Sequence, residues 1–401
     1  MPRRPQQTLL KTLARWLCAC LPALAAMAAG HEARIQRIEN GIVAREGVVQ
    51  QGAAPAEAGP KTIAARMRHY HVPGVSVAVI DGGEIAWAKG YGLTAAGASS
   101  PVTTDTLFQA ASISKPVTAM AALHMARYGN FGLDQDVNAK LQSWKVPENA
   151  FTKIKPVTLR GILTHSAGLT VHGFRGYAPG EDVPTLLEVL DGAGPANSAA
   201  IRVDSEPGSA VRYSGGGYTV LQQLMIDTFG KPFPELMSII ILRQAGMANS
   251  TFEQPLPEAR AAQAATGHGR DGRPVAGNWH TYPEMAAAGL WTTPSDLARF
   301  AIALQKAWKG ESDRILTQKL AAEMLSKQFK GSGLGVGLSG EGKTAFFAHG
   351  GGNEGFRCFL AAGVANGQGA VIMTNSDNGD ALARELLRAI AAEYDWPQYR
   401  D

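Results

Sequence analysis

Cysteine is almost absent from this chain beyond its first 28 residues. Of three cysteines, Cys18 and Cys20 lie near the N-terminus, and Cys358 stands alone in an apolar, strand-like run. A single cysteine excludes an internal disulfide bond in the rest of the chain, even in an oxidising compartment. We interpret Cys358 as a small buried apolar residue instead of a catalytic thiol, because no motif surrounds it.

An excess of positive charge is also lacking once the N-terminal segment is set aside. Residues 1–28 hold four basic and no acidic side chains, so without them Lys plus Arg falls from 38 to 34, equal to the 34 Asp plus Glu. A neutral chain without a basic stripe does not favour nucleic acid as a partner. The alkaline isoelectric point of about 8.9 therefore belongs largely to the N-terminal segment.

Motifs for metal-dependent catalysis are lacking as well. The chain contains no His-Glu-x-x-His sequence, and the pair His69-x-His71 has no nearby carboxylate or cysteine partners. The Gly-x-Ser-x-Gly elbow of α/β-hydrolases is missing too, although His349 precedes three glycines as in the oxyanion motif of that fold. We therefore predict no metal, no cofactor and no α/β-hydrolase fold.

The N-terminal segment has the three parts of a secretory signal peptide. Four basic residues precede an apolar run over residues 16–28, which ends in Ala26-Met27-Ala28. The apolar run is too short to span a bilayer comfortably. We predict that residues 1–28 are cleaved near Ala28 and that the mature chain is exported to the periplasm or the extracellular medium, without a transmembrane anchor.

Strand-like sequences lie at both ends of the remaining chain, and a helical region separates them. Two β-type runs at 75–80 and 84–91 are joined by Asp81-Gly82-Gly83, which predicts a hairpin. Further strands are predicted at 333–338, 344–348, 356–364 and 370–374, before a final helix over 381–394. We predict one α+β domain over residues 29–401: an antiparallel sheet from about 61–111 and 330–401, flanked by helices, with an inserted, mainly helical region over about 112–304.

The sequence Ser112-Ile-Ser-Lys115 places a hydroxyl and an amine three residues apart at the predicted start of a helix. Residues i and i+3 of a helix share one face, about 5–6 Å apart. A lysine can take the proton of a serine if burial lowers the lysine pKa, and the apolar residues after Lys115 predict such burial. The spacing indicates a nucleophile beside a base.

Such a hydrolase usually needs a third group that shuttles protons, for which two tyrosines compete, and a fourth that polarises or anchors the substrate, for which Lys343 and His349 compete. Tyr128 lies on the same predicted helix, about 24 Å from the serine at 1.5 Å per residue, so we prefer Tyr213, which lies in a glycine-rich loop before another helix. Lys343 falls at the beginning of a hairpin, so we prefer His349, which follows the strand-like run Phe-Phe-Ala. The glycines after His349 allow a substrate backbone to approach the strand edge.

The order Ser112-x-x-Lys115, Tyr213-Ser-Gly and His349-Gly-Gly resembles the serine beta-lactamase and penicillin-binding-protein superfamily, in particular the class C beta-lactamase-related esterases and D-peptidases. The resemblance implies Ser112 as the acylated nucleophile, Lys115 and Tyr213 as the proton-transfer pair, and His349 as the counterpart of a lysine. It also implies an oxyanion hole from the backbone N–H groups of Ser112 and Gly352, with substrate bound along Gly350 to Gly352. The sequence leaves open whether Lys115 or Tyr213 is the base.

Two positions depart from the pattern of this superfamily. Gly215 stands where an asparagine is expected, which removes an amide that could bind the substrate. His349 stands where a lysine is expected, and histidine is mostly neutral at pH 7. The resulting hypothesis is an exported serine hydrolase that acts through an acyl-enzyme on an ester, amide or beta-lactam bond of a small molecule or peptide. The alternative is a catalytically silent ligand-binding or sensor protein, and the sequence does not indicate the oligomeric state.

Overall fold

The computed structural model describes residues 30–43, 59–329 and 331–397, so the predicted signal peptide lies outside the described residues. The described residues form two compact units that divide between Ile63 and Ala64. In the first unit, helix α1 (30–40) is followed by a two-residue bridge in which Ile42 and Lys61 exchange backbone hydrogen bonds. In the described part of the chain, no helix has the length and apolar composition needed to cross a bilayer.

In the rest of the chain, most strands lie towards the two ends and most helices lie between them. The helices are α2 (Ile63–Tyr70), α3 (Ser114–Arg127), α4 (Ala150–Ile154), α5 (Leu159–Leu163), α6 (Leu186–Asp191), α7 (Gly215–Phe229), α8 (Phe233–Met237), α9 (Glu258–Ala261), α10 (Met285–Ala288), α11 (Pro294–Lys309), α12 (Gln318–Met324) and α13 (Gly379–Glu393). The strands are β1 (Gly74–Asp81), β2 (Glu84–Gly92), β3 (Phe108–Gln109), β4 (Trp291–Thr292), β5 (Gly337–Ser339), β6 (Phe346–Asn353), β7 (Phe356–Gly363) and β8 (Gly369–Thr374).

The main sheet is antiparallel and joins the two ends of the second unit. Its strand order is β2-β1-β8-β7-β6-β5, and the central pair sets Val75 opposite Thr374 and Ile80 opposite Gly369. The predicted hairpin is present, since β1 pairs with β2 in antiparallel register. Gly82 and Gly83 form its turn with positive φ angles of 61° and 78°, as a tight turn between twisted strands requires. Helices α11 and α13 pack against this sheet. The prediction of a sheet built from distant segments and flanked by helices is confirmed.

Two predicted strands have the wrong bounds. The strand predicted at 333–338 is limited to β5, because Gly335 has a φ of 80° and Gly333 N–H donates to Val336 O at 2.9 Å, which closes a turn. The strand predicted at 344–348 begins at Phe346, after a 3₁₀ turn over Gly342–Thr344, and continues through Asn353. The three glycines after His349 therefore lie within β6, paired with β7, instead of beyond the end of a strand.

The helical region surrounds α3, the most buried of the long helices that carry site residues. Eleven of its residues are buried, among them Met120 and Leu123, and each fully buried side chain of this size contributes about 1.5–3 kcal/mol. A short ribbon interrupts the helical pattern, since Phe108 pairs with Thr292 and Gln109 with Trp291. This ribbon brings the segment before Ser112 beside the segment that leads into α11.

Candidate active site

The candidate nucleophile lies on a strained turn at the start of α3. Residues Ala111–Ile113 form a 3₁₀ turn that runs directly into the helix, and Ala111 has a φ of 50°. A left-handed backbone costs roughly 1–2 kcal/mol at a residue with a Cβ. The turn is held by a hydrogen bond from Ala110 N–H to Leu290 O at 2.8 Å. It leaves Ser112 partly exposed between buried neighbours.

Lys115 lies beneath this serine and is only 2% exposed. Its Nζ lies 3.0 Å from Ser112 Oγ and 2.8 Å from Ala287 O. Desolvation lowers the pKa of Lys115 to about 7, so a large fraction of the side chain is a neutral amine at neutral pH. The amine can donate to the Ala287 carbonyl and use its lone pair to accept the serine proton.

Tyr213 lies in the segment immediately before α7 and faces the same pair. The Lys115 Nζ lies 5.0 Å from the centre of the Tyr213 ring. Burial raises the pKa of Tyr213 to about 12, and a hydrogen bond with Ser112 opposes this rise. Tyr213 is therefore a neutral phenol at pH 7, and it can both donate and accept a hydrogen bond at the serine hydroxyl.

His349 also reaches the cleft, where it is neutral. Its ring centre lies 6.3 Å from that of Tyr213. Burial and the nearby Lys115 charge lower the pKa of His349 to about 4. Its Nδ1 lies 2.6 Å from Gly350 O, and because a carbonyl only accepts, Nδ1 carries the proton and Nε2 is an acceptor. The neutral histidine expected from the sequence fits this environment.

The glycines of β6 place this strand directly against the nucleophile turn. A Cβ on Gly351 would lie 2.2 Å from Ala110 O and 2.6 Å from Cys358 Sγ, so only glycine fits there. The pairing of β6 with β5 ends at Ala348, and within the described part of the chain no other strand pairs with the following residues on that side. The structure thus brings the predicted glycines, His349, Ser112, Lys115 and Tyr213 into one region of the fold.

At Gly215, where the superfamily pattern has an asparagine, the space beside the backbone is occupied by residues of the loop that contains His172 and Phe174. Gly215 N–H donates to His172 O at 3.0 Å, and a Cβ on Gly215 would lie 3.0 Å from Phe174 Cε2. A side chain at this position therefore requires the loop around Phe174 to move. The packing of Phe174 against Gly215 is therefore adapted to a residue without a side chain.

The carbonyl that binds Lys115 belongs to α10, and sequence reasoning missed it. The side chains of other elements fix the backbone of this short helix: Gln222 accepts from Ala286 N–H at 2.9 Å, and Asn353 donates to Ala288 O at 3.1 Å. The sequence Met-Ala-Ala-Ala of α10 gives no signal of this role. Its contribution depends entirely on tertiary contacts over more than 60 residues of separation.

His165 lies against Tyr213, although it is not among the catalytic residues predicted from the sequence. The two ring centres are 4.3 Å apart with an interplanar angle of 32°. His165 Nδ1 accepts the Ser214 N–H at 3.1 Å, and His165 O accepts the Arg212 N–H at 2.8 Å. A lone histidine in a turn gives no sequence signal of such contacts.

The rejected candidates lie outside this region, and Cys358 has the environment expected from the sequence. Tyr128 is 64% exposed at the end of α3, and Lys343 is exposed in the turn before β6. Cys358 is a free, buried cysteine on β7, and burial raises the pKa of its thiol. Among the described residues, no group of three or more His, Cys, Asp or Glu side chains is arranged to hold a metal ion.

A model of a protein family with the description "Beta-lactamase" matches residues 60–394. The chain belongs to the beta-lactamase family. This is a serine hydrolase family of beta-lactamases, esterases and D-peptidases. The resemblance predicted from the motifs of Ser112, Tyr213 and His349 is thereby confirmed at the level of the family.

Individual relatives within the beta-lactamase family carry different names. The chain is 25% identical over 339 residues to penicillin-binding protein 4 of Amycolatopsis lactamdurans, covering 81% of this chain and 86% of that protein. It is 28% identical over 240 residues to esterase EstB of Burkholderia gladioli, covering 57% and 59%. The octameric penicillin-binding protein homologue from Pyrococcus abyssi has a TM-score of 0.68 at 23% identity, covering 82% and 75%. This last likeness concerns the fold, and it agrees with the predicted α+β class.

Proposed function

We propose that this protein is an exported serine hydrolase that acts through an acyl-enzyme on a carboxylic ester, amide or beta-lactam bond. The observation that carries the proposal is the contact of 3.0 Å between Lys115 Nζ and Ser112 Oγ, combined with a Lys115 pKa of about 7. A buried amine near neutrality is a competent general base at physiological pH. Such a base contributes typically 10²- to 10⁴-fold to the rate.

In the first step, Ser112 Oγ attacks the substrate carbonyl carbon and its proton moves to Lys115 Nζ. We assign the base to Lys115, because its pKa is about 7 whereas that of Tyr213 is about 12. The negative charge that develops on the carbonyl oxygen is stabilised by the backbone N–H groups of Ser112 and Gly352. The loss of one such donor typically lowers the rate 10²- to 10³-fold.

Collapse of the tetrahedral intermediate breaks the bond to the leaving group. The proton held by Lys115 passes to the leaving oxygen or nitrogen through the Tyr213 phenol, which donates one proton as it receives another. Water then attacks the acyl-enzyme, gives its proton to the same base, and releases the acid and the free Ser112 hydroxyl. In deacylation the base returns this proton to Ser112 Oγ, so the site regains its starting protonation state at the end of the cycle.

The cleft favours substrates without a carboxylate near the scissile bond. His349 is neutral at pH 7 and presents an acceptor nitrogen, so it attracts a substrate carboxylate less than a lysine would. The aromatic ring of Phe174 replaces an amide beside Gly215. The likeness to an esterase over more than half of the chain supports the same preference, and we place uncharged esters first among the substrates to test.

Export is part of the proposal and rests on the N-terminal sequence. Residues 16–28 form an apolar run after four basic residues and end in Ala26-Met27-Ala28, as in a secretory signal. Expression of the full chain in a bacterial host and N-terminal sequencing of the product would give an N-terminus near Ala29. A cytoplasmic product that retains Met1 would contradict export.

The test of catalysis is covalent labelling of the purified protein with a fluorophosphonate, followed by mass spectrometry of the modified peptide. The expected label is on Ser112, and it should disappear in Lys115→Ala. Ser112→Ala is expected to abolish both the label and ester hydrolysis without unfolding the protein, which circular dichroism would show. A folded protein that carries no label at Ser112, and forms no adduct with penicillin, would instead favour a catalytically silent ligand-binding protein.

A further inference from the structure

We propose that His165 is a positioning residue that holds the Tyr213 phenol beside Ser112. The inference rests on the proposed function, in which Tyr213 relays a proton. His165 lies in the turn after α5, far from the serine in sequence. Three contacts support the inference.

The first two contacts fix the backbone on both sides of Tyr213. Arg212 N–H donates to His165 O at 2.8 Å, and Ser214 N–H donates to His165 Nδ1 at 3.1 Å. One residue thus binds the chain immediately before and immediately after the tyrosine. Each of these bonds restrains the backbone from which the phenol projects.

The third contact fixes the ring itself. The His165 ring contacts two tyrosines, with its centre 4.3 Å from the Tyr213 ring and 5.5 Å from that of the buried Tyr218. Because Tyr218 is fully buried in α7, its contact restrains the imidazole ring. Rotation of the Tyr213 ring away from the serine is therefore opposed on the side of His165.

The backbone of His165 is strained in a way that serves these contacts. Its φ is 56°, a conformation that costs roughly 1–2 kcal/mol for a residue other than glycine. The turn is held by its neighbours, since His165 N–H donates to Ile162 O at 3.1 Å and Ser166 N–H to Gly161 O at 2.8 Å. Strained residues that the surrounding structure holds in place are typical of functional sites.

The chemistry of the imidazole suits a fixed acceptor. Nδ1 receives a backbone N–H, so it is unprotonated and the proton of the neutral ring is on Nε2. Burial, and after it the nearby charge of Lys115, lower the pKa of His165 to about 3. The Nδ1 acceptor therefore persists through the pH range in which a hydrolase of this type works.

Displacement of a catalytic group by about 1 Å can cost up to about 100-fold in rate, which sets the expected effect. His165→Ala removes the ring and the Nδ1 acceptor and should lower kcat for an uncharged ester by about 100-fold with little change in KM. His165→Asn keeps an acceptor at the equivalent position and tolerates the left-handed backbone, so it should recover at least part of the loss. The matched control is His172→Ala, because the His172 ring also contacts Tyr213 but its backbone carbonyl, which accepts the Gly215 N–H of α7, is kept in the variant. It should lose less than about 3-fold.

The decisive measurement is a double-mutant cycle with Tyr213→Phe. If His165 acts through Tyr213, then His165→Ala should change kcat by less than about 2-fold in the Tyr213→Phe background. An equal loss in both backgrounds, or full activity of His165→Ala alone, would overturn the proposal. If His165→Ala does not fold, His165→Gly takes its place in the cycle, because it also removes the ring and the Nδ1 acceptor and tolerates the left-handed backbone.

A crystal structure of the histidine variant separates this inference from the proposed function. The Tyr213 ring is expected to move away from Ser112 in His165→Ala whether or not the protein is an enzyme. An unmoved ring would overturn the positioning role even if catalysis is confirmed. Absence of any label at Ser112 in the wild-type protein, together with a displaced ring in the variant, would overturn only the proposed function.

Discussion

Replacing Lys115 with methionine should make the protein more stable at neutral pH while it abolishes hydrolysis. Lysine is 2% exposed at this position, and burial lowers its pKa from 10.5 to about 7. At 1.36 kcal/mol per pKa unit, this shift corresponds to about 5 kcal/mol of destabilisation of the folded state at pH 7 and below. Methionine has a similar unbranched shape and no charge to desolvate.

The lost hydrogen bonds reduce the gain. Lys115 Nζ donates to Ala287 O at 2.8 Å, and a buried carbonyl left without this donor costs about 1–3 kcal/mol. The net increase in the free energy of unfolding of Lys115→Met is therefore about 2–4 kcal/mol at pH 7. This is a large effect for one substitution.

The pH dependence distinguishes this explanation from a general packing effect. Below pH 7 the lysine is protonated in the folded and unfolded states, so its full cost is present. Between pH 7 and 10.5 the unfolded chain binds a proton that the folded chain does not, so wild-type stability from this group rises by about 1.4 kcal/mol per pH unit. The advantage of the methionine variant should therefore disappear near pH 9.

Urea unfolding followed by tryptophan fluorescence at pH 6, 7, 8 and 9 measures this difference. The matched control is Lys319→Met, because Lys319 is exposed on α12 and its replacement should change stability by no more than about 0.5 kcal/mol. A methionine variant that is less stable than the wild type at pH 7, or a difference that is constant between pH 7 and 9, would refute the reasoning.

Three further predictions concern the cleft. Gly351→Ala should lower the melting temperature by several degrees, because its Cβ would lie 2.2 Å from Ala110 O. The control Gly350→Ala should melt close to the wild type, because no atom lies nearer than 3.6 Å to its Cβ. Equal melting temperatures of the two variants would contradict the packing argument. His349→Lys should raise kcat/KM for an ester that carries a carboxylate, relative to its uncharged analogue, by about tenfold, the value of one charged hydrogen bond. An unchanged ratio would mean that this side chain does not face the substrate. The kcat/KM for an uncharged ester should rise with pH through an apparent pKa of about 7, because Lys115 must be neutral to accept the serine proton; a flat profile from pH 5 to 9 would exclude it as the base.

Local patterns predicted the parts of the fold and the site that local geometry determines. The Ser112 and Lys115 side chains meet because of their helical spacing. The hairpin at Gly82 follows from its turn residues. Each of these features depends on residues within four positions of one another, which is the range over which sequence patterns are informative.

The features that the sequence did not reveal depend on distant contacts. Ala287 O binds Lys115 across 172 residues, and the contact of Gly351 with Ala110 joins segments more than 200 residues apart. The bounds of β5 were wrong because Gly335 takes a left-handed turn against Ala119 of α3. An alanine helix and a run of glycines carry no side-chain chemistry, so their roles become visible only when the tertiary structure is known.

The pairing of β1 with β8 has a consequence for biosynthesis. Val75 leaves the ribosome about 300 residues before its partner Thr374. Until then, the apolar strand β1 has β2 on one side and an open edge on the other, and such edges promote aggregation. The export proposed above would benefit from this delay, because the sheet cannot close before Thr374 has been made. Recovery of catalytic activity during refolding should accordingly be a late event, and it would report completion of the sheet.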